Sequence, residues 1–563
     1  MGIKLEDLIK ENKAPILEDK SKKIMNVLIV SITIIVIMIV ILVIIIMIDN
    51  QKKQLKERAQ NIISDTNLIK AVITNLYNQS LETGDESLLI GIRQDDRTKA
   101  YDPITLNVGG QNIEYKYGYY YVTGQELSAL DEQLSLLHYP EEDYVINYAR
   151  GEAVNLNGVN PSTLLSKYSY KSKKYYDNED LLAIVNGQVP PSDYTIYINS
   201  TEDLEAIKDH PDYRYKLCTN IDMSSYHKGE GWEPIDRFTG YFDGRGYEIS
   251  NLYIKRPEQK YCGLFGHIEE GGIVNNLVLK SVDISGGEYT GGIAGSCNGI
   301  LSNCSVEGIV SSQSDRVGGA FGEFAGEATH IYVTDMEVNG DNKAGGFVGS
   351  LEGGKLEKCI FEGKVGGNTN IGGFAGIIST TKELTVSETY SKARISAEEK
   401  SAGGYVGKIE VNNSRNLKIL DSYANGDIEH CNVNAGGFVG DLYTKADTNI
   451  ELTRLYTTVD TPSDCLSTGG RGGFAGKAYI GSSINLSYCY WELDKVTDRY
   501  KDTEEIITDI GINEDSQNTI KFESRSHSQL IANNFNEFST NAVIWNTKIA
   551  NDLPRFVWEV INK

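Results

Sequence analysis

The sequence predicts a mainly β chain: a parallel β-solenoid of about 27-residue coils, preceded by a transmembrane helix and a small α+β domain. Three observations carry this reading. One apolar run is as long as a bilayer is thick, short glycine-rich phrases recur at a nearly constant interval, and 56 Gly and 34 Tyr among 563 residues suit strands broken by tight turns.

The apolar run is Val27 to Ile48, 22 residues interrupted only by Ser31 and Thr33. At about 1.5 Å per residue it spans roughly 33 Å as a helix, enough to cross the hydrocarbon core. No small residue suited to signal cleavage follows it in Met47-Ile48-Asp49-Asn50-Gln51, so the anchor is expected to stay attached. Six Lys lie in residues 1–23, against Lys52, Lys53, Lys56 and Arg58 beyond the run. The expectation is a cytoplasmic segment 1–23, a single membrane helix over 24–48, and a C-terminal bulk outside the cell.

Beyond the anchor, Leu55, Ala59, Ile62, Thr66, Ile69, Ile73 and Leu76 fall at three- and four-residue steps and extend the helix as an amphipathic one. In "GYYYVTGQEL" a Tyr-rich strand leads into a capping box, with Thr123 as N-cap and Glu126 three residues later. Residues 49–198 are therefore assigned to the amphipathic helix and an α+β stalk domain. With "YYYVTGQELSAL", "DYVINYARGEAVNLNGV" and "KYYDNEDLLAI", residues from about 24 to 190 resemble type IV pilin and pseudopilin-like proteins. That family is cut after a small residue directly before the apolar helix and carries a Glu at the fifth mature position. Here Lys22-Lys23-Ile24-Met25 precede the run, and no acidic residue lies between Asp19 and Asp49. The expectation is an uncut N-terminus.

From Ser200, "NSTEDLEAIK" reads as a short capped helix, and strands flank the turn Asp243-Gly244-Arg245-Gly246. Residues 199–260 form a lead-in module, 261–495 the repeats and 496–563 a C-terminal cap. The phrases are CGLFG, GGIAG, GGAFG, GGFVG, GGFAG, GGYVG, GGFVG and GGFAG, closing at Gly266, Gly295, Gly322, Gly349, Gly376, Gly407, Gly440 and Gly476. Their spacings are 29, 27, 27, 27, 31, 33 and 36 residues, and most periods hold a second apolar segment. Helices are disfavoured because each interior Gly costs about 1 kcal/mol against Ala.

The paired glycines, Gly345 and Gly346, Gly372 and Gly373, Gly436 and Gly437, are assigned to a corner where coils lie roughly 4.7–4.9 Å apart and a side chain is excluded. Phe347, Phe374, Tyr405 and Phe438 then point inward and stack, with Gly349, Gly376 and Gly440 closing each phrase. These phrases, the lead-in "GWEPIDRFTGYFDGRGYEISNLYI" and the tail "VIWNTKIANDLPRFVWEV" resemble the GLUG-motif family of bacterial surface proteins over about residues 200–560. The resemblance implies an adhesin-like surface protein; the motif also occurs in some secreted metallopeptidases.

The net charge of −24 argues against nucleic acid as a partner. The seven His are scattered, with no H-E-x-x-H pair for metal-dependent proteolysis. Of the eight Cys, Cys304 and Cys359 share a column two coils apart, roughly 10 Å, beyond the limit of about 7 Å for a disulfide, so buried free thiols are expected. Asp335, Glu337, Glu357, Glu362, Asp421 and Asp427 vary in offset from coil to coil, which reads as a solvated acidic face. Calcium at Asn339–Lys343 remains a minor alternative.

The sequence thus yields no catalytic, cofactor-binding or metal residues and an expectation that the chain is not an enzyme. Its partners are the membrane, through Val27–Ile48, and an extracellular glycan or protein, met by the longer loops Ile409–Leu417 and Tyr443–Ile450. Adhesion is the expected role. The alternatives are a pilin-like component of a pilus or secretion machine and a solenoid carbohydrate-active enzyme.

Overall fold

A computed structural model describes residues 5–83, 86–93, 104–108, 111–115, 119–148, 151–155, 195–380, 382–411, 416–445, 449–461, 470–481, 484–493, 508–514, 521–531, 538, 544–546 and 553–556. The chain divides into two compact units, Met1–Asp193 and Tyr194–Lys563.

In the first unit a single helix, Leu5–Thr83, contains the stretch Leu28–Met47, whose 20 residues are long and apolar enough to cross a membrane. From Ala59 onward the same helix is amphipathic. Ala59, Ile62, Ile69 and Ile73 are buried, the last two in a core with Val122, Leu127, Tyr144 and Ile146. The partner is an antiparallel sheet of Ile92–Arg93, Tyr119–Thr123, Asp143–Asn147 and Glu152–Asn155. Between its strands, helix Gly124–Leu130 carries the expected capping box: Thr123 Oγ1 accepts from the Glu126 amide at 3.2 Å, and the Thr123 amide donates to Glu126 Oε2 at 2.8 Å. One polar group fixes the helix to this domain: buried Asp65 accepts from the backbone amides of His138 and Tyr139 at 2.9 and 3.1 Å. "KYYDNEDLLAI", part of the pilin-like resemblance, lies outside the described residues.

The second unit is a parallel β-solenoid of about nine turns between residues 214 and 525. One coil consists of Ala294–Cys297, Ile300–Ser312 and Asp315–Gly318, whereas the next runs as two strands, Phe321–Phe324 and Glu327–Gly345. Along one column the pairing runs from coil to coil without a break: Ala294, Phe321, Val348, Ala375, Val406, Val439 and Ala475. Both flanking modules are continuous with this stack. Arg214–Leu217 pairs with Tyr241–Asp243, which pairs with Ile273–Asn275; at the far end Thr508–Asn513 and Glu523–Arg525 add to Arg471–Ile480 and Ile484–Glu492. The turn Asp243–Gly246 joins strands that bond to the coils above and below rather than to each other.

The aromatic residues of the last five phrases form one buried ladder. Ring centroids are 4.7 Å apart from Phe347 to Phe374, 4.9 Å to Tyr405, 4.6 Å to Phe438 and 4.9 Å to Phe474, all within 14° of parallel. Phe522 closes the stack on Phe474 at 4.0 Å. The glycines before the rings are required by close approach. A Cβ on Gly345 would sit 2.1 Å from the Val348 carbonyl oxygen, and one on Gly346 would sit 2.2 Å from that of Gly373.

The sharp turn expected at these glycines lies elsewhere. Left-handed backbone occurs just before the phrases, at Tyr289, Arg316, Lys343 and Asn370, and in a second column at Asn276, Asn303, His330, Lys358, Glu388, Asp421, Arg454 and Tyr488, with φ between 45° and 64°. Coil closure, not residue type, forces these positions out of the common regions.

The seven described cysteines are free and buried, as small hydrophobes; Cys465 lies outside the described residues. Burial pushes the thiol of Cys218 up to about 11 and those of Cys359 and Cys489 up to about 12. Thiolate is therefore scarce near neutral pH. A thiol reagent is expected to label these three only on denaturation, and rapid labelling of the folded protein would contradict their burial.

Candidate functional site

The long second strands of consecutive coils, Ile300–Ser312, Glu327–Gly345, Ile360–Thr369, Leu384–Ala397 and Asn416–Cys431, send alternate side chains inward and outward. Val310, Val338, Val365, Ile395 and Ile428 are buried. The residue before each faces out, and pairing aligns these as the column Ile309, Glu337, Lys364, Arg394, Asp427. Glu362, Lys392 and Asn425 form a second column two residues earlier.

Between the two columns run Gly308, Met336, Gly363, Ala393 and Gly426. Register shifts between Val306 and Gly308 and between Val333 and Met336 mark β-bulges, and Gly308 and Gly426 have φ of 133° and 119°. A Cβ on Gly363 would lie 2.0 Å from the Met336 carbonyl oxygen. The small residues and the bulges bend the sheet locally, and a cleft of about 730 Å³ lies over them.

Its lining includes Asp335, Glu337, Glu362 and Asp427 together with Lys364, Lys392 and Arg394. Tyr390 Oη donates to Glu362 Oε1 at 2.8 Å, and Asn339 Nδ2 donates to Glu337 Oε1 at 3.0 Å. Sequence reasoning read the acids as scattered because their offsets differ between coils. The structure brings four of the six named acids into one cleft, since strand pairing brings residues of unequal numbering onto adjacent rungs. The other two are placed elsewhere: Glu357 pairs with Lys355 at 2.6 Å, and Asp421 is buried. One signal was present in the sequence: Glu337, Lys364, Arg394 and Asp427 each stand immediately before a β-branched core residue.

An outer aromatic ladder, also missed from sequence, runs beside the cleft. Tyr390, Tyr423 and Tyr456 stack at 4.9 Å per step, in a column that begins with Tyr332 and Ile360 and ends with Tyr490. The C-terminal segment covers it with Leu530, Phe538, Trp545 and Phe556. Trp545 Nε1 donates to Asp421 Oδ1 at 2.7 Å, Arg454 forks onto the same carboxylate at 2.5 and 2.6 Å, and Tyr456 Oη donates to the Pro554 carbonyl oxygen at 2.6 Å.

None of the described residues of the candidate contact loops lines the cleft. Their flanks are strand, with Tyr443 stacked on Tyr479 at 5.0 Å, and their tips, 412–415 and 446–448, lie outside the described residues. In the segment considered for calcium, Asn368 Nδ2 donates to Asp341 Oδ1 at 2.5 Å, so protein donors already occupy that carboxylate.

No protein-family model matches the chain. Halomucin of Haloquadratum walsbyi is 34% identical over 168 residues, 26% of this chain, and a protein of Evansella cellulosilytica provisionally described as a Gly-rich membrane protein is 44% identical over 73 residues, 12% of this chain. The alignments cover 2% and 8% of those relatives' lengths. The apolar helix and the membrane-protein relative fit a membrane location.

Two solved structures also align with the chain. One from Bacteroides ovatus, provisionally named an immunoglobulin A1 protease, covers 65% of this chain and 92% of its own at 17% identity and a TM-score of 0.33. Another, named IgA1 protease, covers 53% of this chain and 21% of its own at 17% identity and a TM-score of 0.34. The expectation that the chain is not an enzyme is corrected at the cleft, where the acids thought to be dispersed converge beside lysine and arginine. Alignments at this level carry no activity across to this chain.

Proposed function

We propose that the chain is a membrane-anchored bacterial surface protein of the GLUG-motif type, spanning the membrane once and holding its solenoid outside, where it engages an extracellular partner in adhesion. The observation that carries this reading is a rigid parallel stack bearing a charge-lined cleft, in a chain that also has an exposed apolar helix of membrane length. Six Lys before the apolar run support an inside N-terminus. The long helix packed on an antiparallel sheet supports a pilin-like origin for the first unit.

Cells displaying the full chain are expected to attach to glycan- or matrix-coated surfaces, and cells carrying only residues 1–193 are expected not to. Equal attachment would contradict the adhesive role.

One observation favours a second reading, a carbohydrate-active enzyme. Four carboxylates and three cations share the cleft, and these groups serve proton transfer and charge stabilisation in glycoside chemistry. Incubating the full chain with polysaccharides and assaying new reducing ends separates the two readings.

A further inference from the structure

Most basic side chains of the solenoid with a described partner are ion-paired. Lys343 meets Asp315 at 2.8 Å, Lys355 meets Glu357 at 2.6 Å, Lys408 meets Glu410 at 2.6 Å and Lys418 meets Glu451 at 3.0 Å. Lys364, Lys392 and Arg394 differ. They sit on two adjacent coils, face outward into the cleft, and among the described residues none makes an ion pair or a side-chain hydrogen bond. Three like charges gathered on neighbouring rungs, about 4.8 Å apart, repel one another unless a counter-charge makes direct contact. Each has a carboxylate in register on a neighbouring rung, Glu337 beside Lys364, Glu362 beside Lys392 and Asp427 beside Arg394, yet none of these pairs closes to an ion pair.

The geometry points to a bound oligosaccharide carrying isolated acidic groups, with one carboxylate or sulfate held by Lys364, Lys392 and Arg394 and neutral sugars on either side. Three features select this class. The acids at both ends accept hydrogen bonds from sugar hydroxyls and repel a second anion, so a contiguous polyanion is disfavoured. The cleft lies on the face of the sheet, where backbone N–H and C=O groups are already bonded between coils, so an extended peptide finds no strand edge to add to. Its lining spans five coils, from Gly308 to Asp427, roughly 19 Å along the axis, which suits an extended chain more than a compact metabolite.

This inference rests on the surface-recognition reading and names its ligand. The test is titration of the full-length protein in detergent micelles with three labelled oligosaccharides of equal length: a hyaluronan fragment, in which every second sugar is a uronate; polygalacturonate, in which every sugar is; and neutral cellulose. Binding of the first, weaker binding of the second and none of the third is expected, with affinity falling as salt is raised. Lys364→Gln with Arg394→Gln should weaken the first by about tenfold or more, whereas Lys418→Gln, at an ion-paired position, should leave it unchanged. Cleavage of the bound hyaluronan fragment that disappears in the double variant supports the same placement. Equal binding by the double variant, preference for the contiguous polyanion, or no binding of either acidic chain overturns the inference. Membrane topology is left unaffected by this result, so failure here stays distinct from failure of the surface reading.

Discussion

Phe374→Ala is expected to lower the stability of the solenoid by about 3–5 kcal/mol, measured as a fall in the denaturation midpoint of the purified protein. The ring is fully buried between Phe347 at 4.7 Å and Tyr405 at 4.9 Å, within 3° of parallel to both. Truncation removes its transfer free energy and leaves a gap that coils locked by their hydrogen bonds cannot close. Phe374→Leu, which keeps most of the volume, should cost less. A change below about 1 kcal/mol for the alanine variant would show that the ladder is not a principal source of stability.

Asp421→Ala is expected to cost a similar amount, about 3–5 kcal/mol, by a different route. The carboxylate is buried, receives the Arg454 fork and the Trp545 indole N–H, and sits at a left-handed corner with φ of 45°. Its removal leaves a guanidinium with little water and no counter-charge, and it frees the indole. The variant should therefore also release the C-terminal segment, seen as faster proteolysis after residue 531 with the coils still folded. Removing Arg454 as well should recover part of the loss, because an absent pair costs less than a broken one. An additive double variant would indicate that the pair does not couple.

The solenoid was legible because its signal is repeated: three successive spacings of 27 residues and an aromatic at the third place of the last five phrases fix both the period and the inward face. The membrane-length helix and the Thr123 cap were legible for the same kind of reason, each resting on local chemistry. The left-handed corners were not. Asn276, His330, Lys358, Glu388 and Tyr488 share no residue type, since the constraint comes from closing the coil. The cleft was missed because its residues belong to five coils of unequal length, brought into line only by the pairing of the strands. The covered tyrosine ladder was missed because its latch, Trp545, is 124 positions from Asp421. Sequence patterns report what repeats locally, and this site is built from what varies between repeats.

The central claim is that the cleft-bearing solenoid is displayed outside the membrane that holds the N-terminal helix. It is tested most directly by treating intact cells with an amine reagent that cannot cross the membrane and mapping the modified lysines. Lys364 and Lys392, exposed in the cleft, should be labelled on intact cells, whereas the lysines of residues 1–23 should be labelled only after the membrane is opened. Labelling of the N-terminal lysines on intact cells, with the cleft lysines protected until permeabilisation, would contradict the account.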